Sequence, residues 1–337
     1  MNILIGLIII ALGSFCQSSS YVPIKKVRRW NWESFWLVQG VFAWIVFPLL
    51  GALLAVPSGS SLSEILGSDP SAAFKAMGFG ALWGVGGLTF GLSMRYLGVA
   101  LGQSLSLGLC AAVGTLLPAI ISHEDLFHGS GLILLLGVCL TIAGIAVIGY
   151  AGALRSRGMS EEDRKKAIQD FALTKGLLIA VLAGVMSACF SLGLEAGKTL
   201  QVSGMKPLFA TLPATLMVTL GGFVTNAVYC LYKNFRNRSF SDYADAGVLW
   251  NNLLFCALAG LLWYSQFFGL GVGKSFFEDG SVLMKFSWCI LMALNVIFSN
   301  VWGIILKEWK GSGRKTAVVL VCGLMLLVFS LIFPNLF

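Results

Sequence analysis

Trp263, Gln266 and Phe267 recur at i, i+3 and i+4 in the segment LLWYSQFFG, so a helix there carries two rings beside an amide on one face. Tyr264 adds a phenol next to them. An amide both donates and accepts hydrogen bonds, as vicinal hydroxyls require, and a ring can lie against the C–H face of a pyranose. The chemistry on offer is recognition of a sugar-like molecule. A second stripe of Lys285, Trp288, Met292, Asn295, Ser299 and Trp302 recurs at spacings of three and four. Gln103, Ser106, Cys110 and Gly114 form a third, and Gln17 with Tyr21, one turn apart, a fourth. Taken singly, each residue can equally be glue between helices. Together the stripes favour a shared cavity, with Gln17, Tyr21, Trp263, Tyr264, Gln266, Phe267, Lys285, Trp288 and Asn295 as candidate substrate contacts.

Acids that could carry a proton are scarce, and they lie at the ends of apolar runs rather than at their centres. Glu33 opens the second run, where it can simply complement a helix dipole. Glu195 precedes Lys198 by one turn, which suits an ordinary ion pair. These two are the candidates for proton coupling, because a carboxyl inside a membrane domain is where a proton can be held and released. Lys285 is anomalous; it could bind a substrate oxygen, pair with Glu195 or Glu278, or reach outward to the interface. Eight cysteines fall inside apolar runs without a CxxC and read as packing residues. The two histidines share one short loop, too few for a metal site, and no cofactor is expected.

These side chains need elements to hold them. Of the 337 residues, 57% are hydrophobic and only 11% charged, far from a soluble domain, where about a quarter are charged. Ten uncharged runs stand near 3–22, 34–56, 72–94, 98–121, 131–152, 176–197, 207–232, 248–273, 281–306 and 317–335. The expected fold is all-α, a polytopic membrane protein of ten transmembrane helices, since lipid demands an internally satisfied backbone and the runs lack the alternation of barrel strands. The first run has no basic leader region and reads as a retained span.

Lys and Arg divide eighteen to five between the two sets of connections, whereas the acids divide eight to seven. That bias places the basic connections in the cytoplasm and both termini on the periplasmic side. The run SSSYVPIKKVRRWNWESFW, Ser18 to Trp36, then reads as a basic and tryptophan-rich anchor at the lipid surface; its rings could equally shape a gate. The net charge of +8 has the same membrane origin, so nucleic acid is not a partner. A charged stretch, 153–175, separates a first five-helix repeat, 1–152, from a second, 176–337. Weak echoes pair Gly6 with Gly176, Phe90 with Phe267 and Glu124 with Glu308. An odd number of helices per repeat inverts the second, and inverted repeats of this kind place a site between halves and imply transport by alternating access. Gly80 with Gly84, and Gly87 with Gly91, each pair at four-residue spacing, would let helices approach closely, for packing or for sliding.

The segments YVPIKKVRRWNWESFW, GLSMRYLGVALGQSL, GLLWYSQFF and LKEW, in this order, resemble the L-rhamnose/proton symporter family of the drug/metabolite transporter superfamily. The likeness runs over essentially the whole chain. It implies proton-driven uptake of L-rhamnose or a related deoxy sugar, with lipid as the only other partner, in a bacterial inner membrane. The chain departs from the family pattern at Met284 and Lys285, where an acid is expected, and at Glu195, where a neutral amide is expected. A carrier of the same superfamily for another small metabolite, uncoupled or coupled to another cation, is the alternative. A membrane enzyme would want paired acids, a Cys/His pair or a metal cluster within the spans, and a nucleotide-driven pump a phosphate-binding loop; neither pattern is present in the sequence.

Overall fold

The structure, a computed structural model, describes residues 2–97, 99–158, 173–307 and 309–336. Glu308 and most of the charged stretch, 159–172, lie outside the described residues. All ten expected helices are present: α1 (Ile3–Ile24), α2 (Trp32–Leu53), α3 (Pro70–Leu97), α4 (Leu101–Ile121), α5 (Gly129–Arg157), α6 (Thr174–Ala196), α7 (Pro207–Asn237), α8 (Ala246–Lys274), α9 (Val282–Ile305) and α10 (Arg314–Asn335). Each is long and apolar enough to cross a bilayer. Helix α5 continues to Arg157, so the start of the charged stretch is helical; Arg155 and Arg157 sit in its last turn, where cations complement the helix dipole.

The chain forms two units, Met1–Gly84 with Gly193–Phe276, and Val85–Leu192 with Phe277–Phe337. Each therefore draws on both halves of the sequence.

In the first unit, glycine brings backbones together. A Cβ on Gly13 would come within 2.6 Å of the Ser265 carbonyl oxygen, and one on Gly269 within 2.9 Å of the Ile9 oxygen, so α1 and α8 touch main chain to main chain. Gly84 faces α7, where a Cβ would meet Thr225 at 2.8 Å, and Gly80 lies against the Val218 backbone. Gly87 and Gly91 meet nothing within 4 Å, so of the two four-spaced pairs only the first makes helix contacts. Between α2 and α3 a short helix, Leu62–Gly67, is closed by a capping box between Ser61 and Glu64.

Helix α2 is not regular. Phe42–Val46 is a π-turn, in which the Phe47 N–H donates to the Phe42 carbonyl five residues back. Buried Pro48 supplies the cause, since its ring clashes with the carbonyl four residues before it and its nitrogen has no hydrogen to donate.

In the second unit α5 packs on α10. A Cβ on Gly144 would lie 2.6 Å from Leu327, and one on Gly323 2.7 Å from Ile148. Thr141 Oγ1 and Ser330 Oγ meet at 3.1 Å across the same seam. Ile145, Val296, Leu320 and Leu327 form the core that α9 completes.

Candidate functional site

The widened α2 carries the centre of an aromatic ladder in the first unit. Trp32 stacks on Trp36 at 5.3 Å, and Trp36 meets Trp44 edge-on at 5.7 Å. Trp44 in turn meets Trp83 of α3 and Trp263 of α8, both at 5.9 Å. Trp83 and Trp263 lie 5.7 Å apart, and Trp263 touches Phe267 at 5.1 Å. Gly40 is the reason Trp44 can lie down along its own helix, because a Cβ there would sit 2.6 Å from the ring. Trp44 is buried, whereas Trp83 and Trp263 stay half-exposed.

Most polar atoms around the ladder are satisfied. The Trp36 indole N–H donates to Asn226 Oδ1 at 3.0 Å, and Asn226 Nδ2 donates to the Gly222 carbonyl at 2.9 Å. Two are not. Gln39 is 3% exposed and Trp44 4%, yet Gln39 Oε1 and Trp44 Nε1 have no hydrogen-bond partner. An unmet buried polar atom costs about 1–3 kcal/mol, and such atoms are rare in native proteins. Trp44 Nε1 is a donor among indole faces, and Gln39 Oε1 an acceptor on the same helix; such atoms can meet a hydroxyl while the rings meet a C–H face. Tyr264 OH is likewise buried without a partner and lies against Gly51.

At the start of α2 a second polar group assembles. Glu33, 4% exposed, accepts from Asn237 Nδ2 at 2.7 Å and from Ser239 Oγ at 2.9 Å. No cation among the described residues lies within ion-pair distance of it. Ser239 Oγ also lies 2.9 Å from Asn234 Oδ1, which Ser34 Oγ approaches at 3.0 Å. Ser34 Oγ reaches Asp242 Oδ2 at 2.7 Å. The Ser239 hydroxyl thus lies between Glu33 Oε1 and Asn234 Oδ1, and the Ser34 hydroxyl between Asn234 Oδ1 and Asp242 Oδ2, so each can turn from one acceptor to the other. Asn31 holds Asp242 from its main-chain N–H at 2.8 Å and its side chain at 3.0 Å. Asn234 Nδ2 donates to Tyr243 OH at 3.1 Å. Burial pushes the Tyr243 phenol up, against the opposing pull of its hydrogen bonds to Ser34 and Asn234.

The basic run before α2 is pinned rather than loose. Asn252 of α8 accepts from the Arg28 N–H at 3.0 Å and donates to the Arg28 carbonyl at 2.8 Å, and Arg29 pairs with Asp245 at 3.2 Å. Lys25 and Lys26 stay exposed, as an anchor requires.

The remaining candidates scatter. Gln266 is buried, with Nε2 3.2 Å from the Trp263 carbonyl of its own helix. Gln17 is half-buried and accepts from Ser18 Oγ at 3.4 Å, while Tyr21 is 56% exposed. Glu195 pairs with Lys198 one turn on.

In the second unit Lys285 Nζ lies 2.6 Å from Glu124 Oε1, a partner the sequence reading did not name. Trp288 is core; it stacks on Phe190 at 5.9 Å and donates to the Cys110 carbonyl at 3.2 Å. Asn295, 9% exposed, sits on the same helix. Of the residues singled out in the sequence, Trp263 and Phe267 lie in the ladder and Glu33 in the polar group; Gln39, Trp44 and Trp83 were not singled out. Pro48, a helix disruptor inside an apolar run, was the available signal.

Comparison with known proteins identifies the family. Residues 1–334 match the family described as L-rhamnose-proton symport protein. The L-rhamnose-proton symporter of Mannheimia succiniciproducens is 33% identical over 98% of this chain and 96% of its own length. A protein of the same name from Yersinia pestis is 33% identical over 97% of this chain and 96% of its own. The chain belongs to the L-rhamnose-proton symport protein family.

Proposed function

We propose that this chain carries L-rhamnose, or a closely related deoxy sugar, together with protons across the bacterial inner membrane. The observation that carries the sugar part is the orphaned buried Trp44 Nε1, whose ring meets those of Trp83 and Trp263, with the likewise orphaned Gln39 Oε1 on the same helix. A deoxy pyranose offers hydroxyls to such atoms and a methyl and C–H face to such rings. Gln266 and Tyr264 share α8 with Trp263 and Phe267.

Glu33 is the proton carrier in this reading. Its neutral donors let it gain and lose a proton without breaking an ion pair, and the hydroxyls of Ser239 and Ser34 can reorient with it. Glu195, tied to Lys198, is the weaker candidate. The two repeats, 1–152 and 176–337, are inverted and work by alternating access, with both termini periplasmic and the basic connections cytoplasmic. The Lys and Arg excess of eighteen to five supports that orientation.

Purified protein in vesicles with an external pH-sensitive dye tests the reading. L-rhamnose should evoke alkalinisation of the outer medium, more strongly than fucose, lyxose or mannose. Sugar movement without protons would overturn the coupling, and no sugar movement would overturn the carrier.

A further inference from the structure

A cavity of about 160 Å³ lies wholly within the second unit, among α4, α5 and α9. An engineered protein cavity of about 150 Å³ holds one benzene, so the space is large enough for a single six-membered ring. Its lining has two characters. Leu107, Ile148 and Val296 supply an aliphatic surface, while Gln103, Ser299 and Asn300 supply amides and a hydroxyl. Gly149, Gly152 and Gly303 keep side chains out of the space. Arg155 lies 5.4 Å from the Trp309 ring centroid, and both residues line the cavity.

The hydrogen-bonding inventory is mixed. Asn300 Nδ2 donates to the Val296 carbonyl at 2.9 Å, which leaves Oδ1 as an acceptor. Ser156 Oγ donates to the Gly152 carbonyl at 3.0 Å and keeps its lone pairs. The Arg155 guanidinium is a pure donor, and the Gln103 amide can serve in either sense. Donors and acceptors mixed around an aliphatic patch match a molecule whose hydroxyls each do both. Arg155 and Ser156 belong to the last turns of α5, and Gln103 and Ser104 to the first turn of α4. That end of the unit also carries Arg157, Lys307, Lys310 and Arg314.

We infer that this cavity is a second monosaccharide site, built from residues other than those of the tryptophan ladder and reached from the side of the basic connections. The inference rests on the sugar-carrier reading. It gives the carrier a holding point for one pyranose on its cytoplasmic side.

Equilibrium binding of labelled L-rhamnose to the full chain in detergent decides it. Two sites per chain are expected. Gly152→Leu, which fills the space, should remove one and leave the other, and the retained site reports that the variant is folded. Asn300→Ala should weaken the same site about tenfold through the lost acceptor. If Gly152→Leu abolishes all binding, Asn300→Ala decides alone, and two unaltered sites there would overturn the assignment. A wild type with one site that neither substitution alters overturns the second site and spares the carrier. A chain that binds no L-rhamnose overturns both. Inorganic phosphate is the control; phosphate occupying the cavity while the sugar fails to displace it makes this an anion site and ends the proposal.

Discussion

In the proposed sugar site Gln39 offers one buried amide oxygen with no donor to meet it. Gln39→Leu keeps the volume and removes the acceptor. The apparent KM for L-rhamnose should rise roughly 10–100-fold, as loss of a buried hydrogen bond worth about 1–3 kcal/mol implies. A radiolabel uptake curve measures it, and an unchanged KM would take Gln39 out of the site. Tyr264→Phe is a contrasting case, since its hydroxyl is buried without a partner against Gly51. Thermal unfolding should show stability held or raised by about 1 kcal/mol, with uptake kept. Lost stability would mean that this hydroxyl has a partner in the working protein. At this scale the sequence was partly readable. Trp263 and Phe267 share a face because i and i+4 always do, and they touch as that spacing requires. Gln39 escaped notice because a lone amide among tryptophans near a basic loop looks like an interfacial belt.

Helices, too, were legible where one cause dominated. Lipid requires about 20 apolar residues per span, and all ten runs became helices. What the hydrophobic pattern does not encode is irregularity within a span or the partner of a charge. Phe42–Val46 widens because of Pro48, and the centre of the ladder sits on that widened turn. Lys285 meets Glu124, which is remote in sequence, and no local spacing rule could have named it. Both members are about a quarter exposed, so a double-mutant cycle with Lys285→Met and Glu124→Gln should give a coupling of about 1 kcal/mol or less in thermal stability. Zero change in either single variant would show the pair idle. The α1–α8 seam is a stiffer matter, because Gly269 faces backbone rather than a movable side chain. Gly269→Leu should cost about 1–3 kcal/mol by overpacking, read as a lowered unfolding temperature in detergent.

For the whole molecule the question is how a sugar and a proton travel together. The ladder and the Glu33 cluster are both mounted on α2, with Glu33 and Ser34 in its first turn and Gln39 and Trp44 further along. One helix therefore touches both proposed ligands, so that a shift of α2 on sugar binding would disturb the hydrogen bonds of Glu33. The measurement that bears most directly on this is made on Glu33→Gln and wild type in the same vesicles, following proton uptake and exchange of labelled L-rhamnose side by side. Wild type should do both, and Glu33→Gln should exchange sugar while taking up no protons. A Glu33→Gln carrier that still draws protons with L-rhamnose as the wild type does would contradict the assignment of the proton to Glu33 and the coupling through α2.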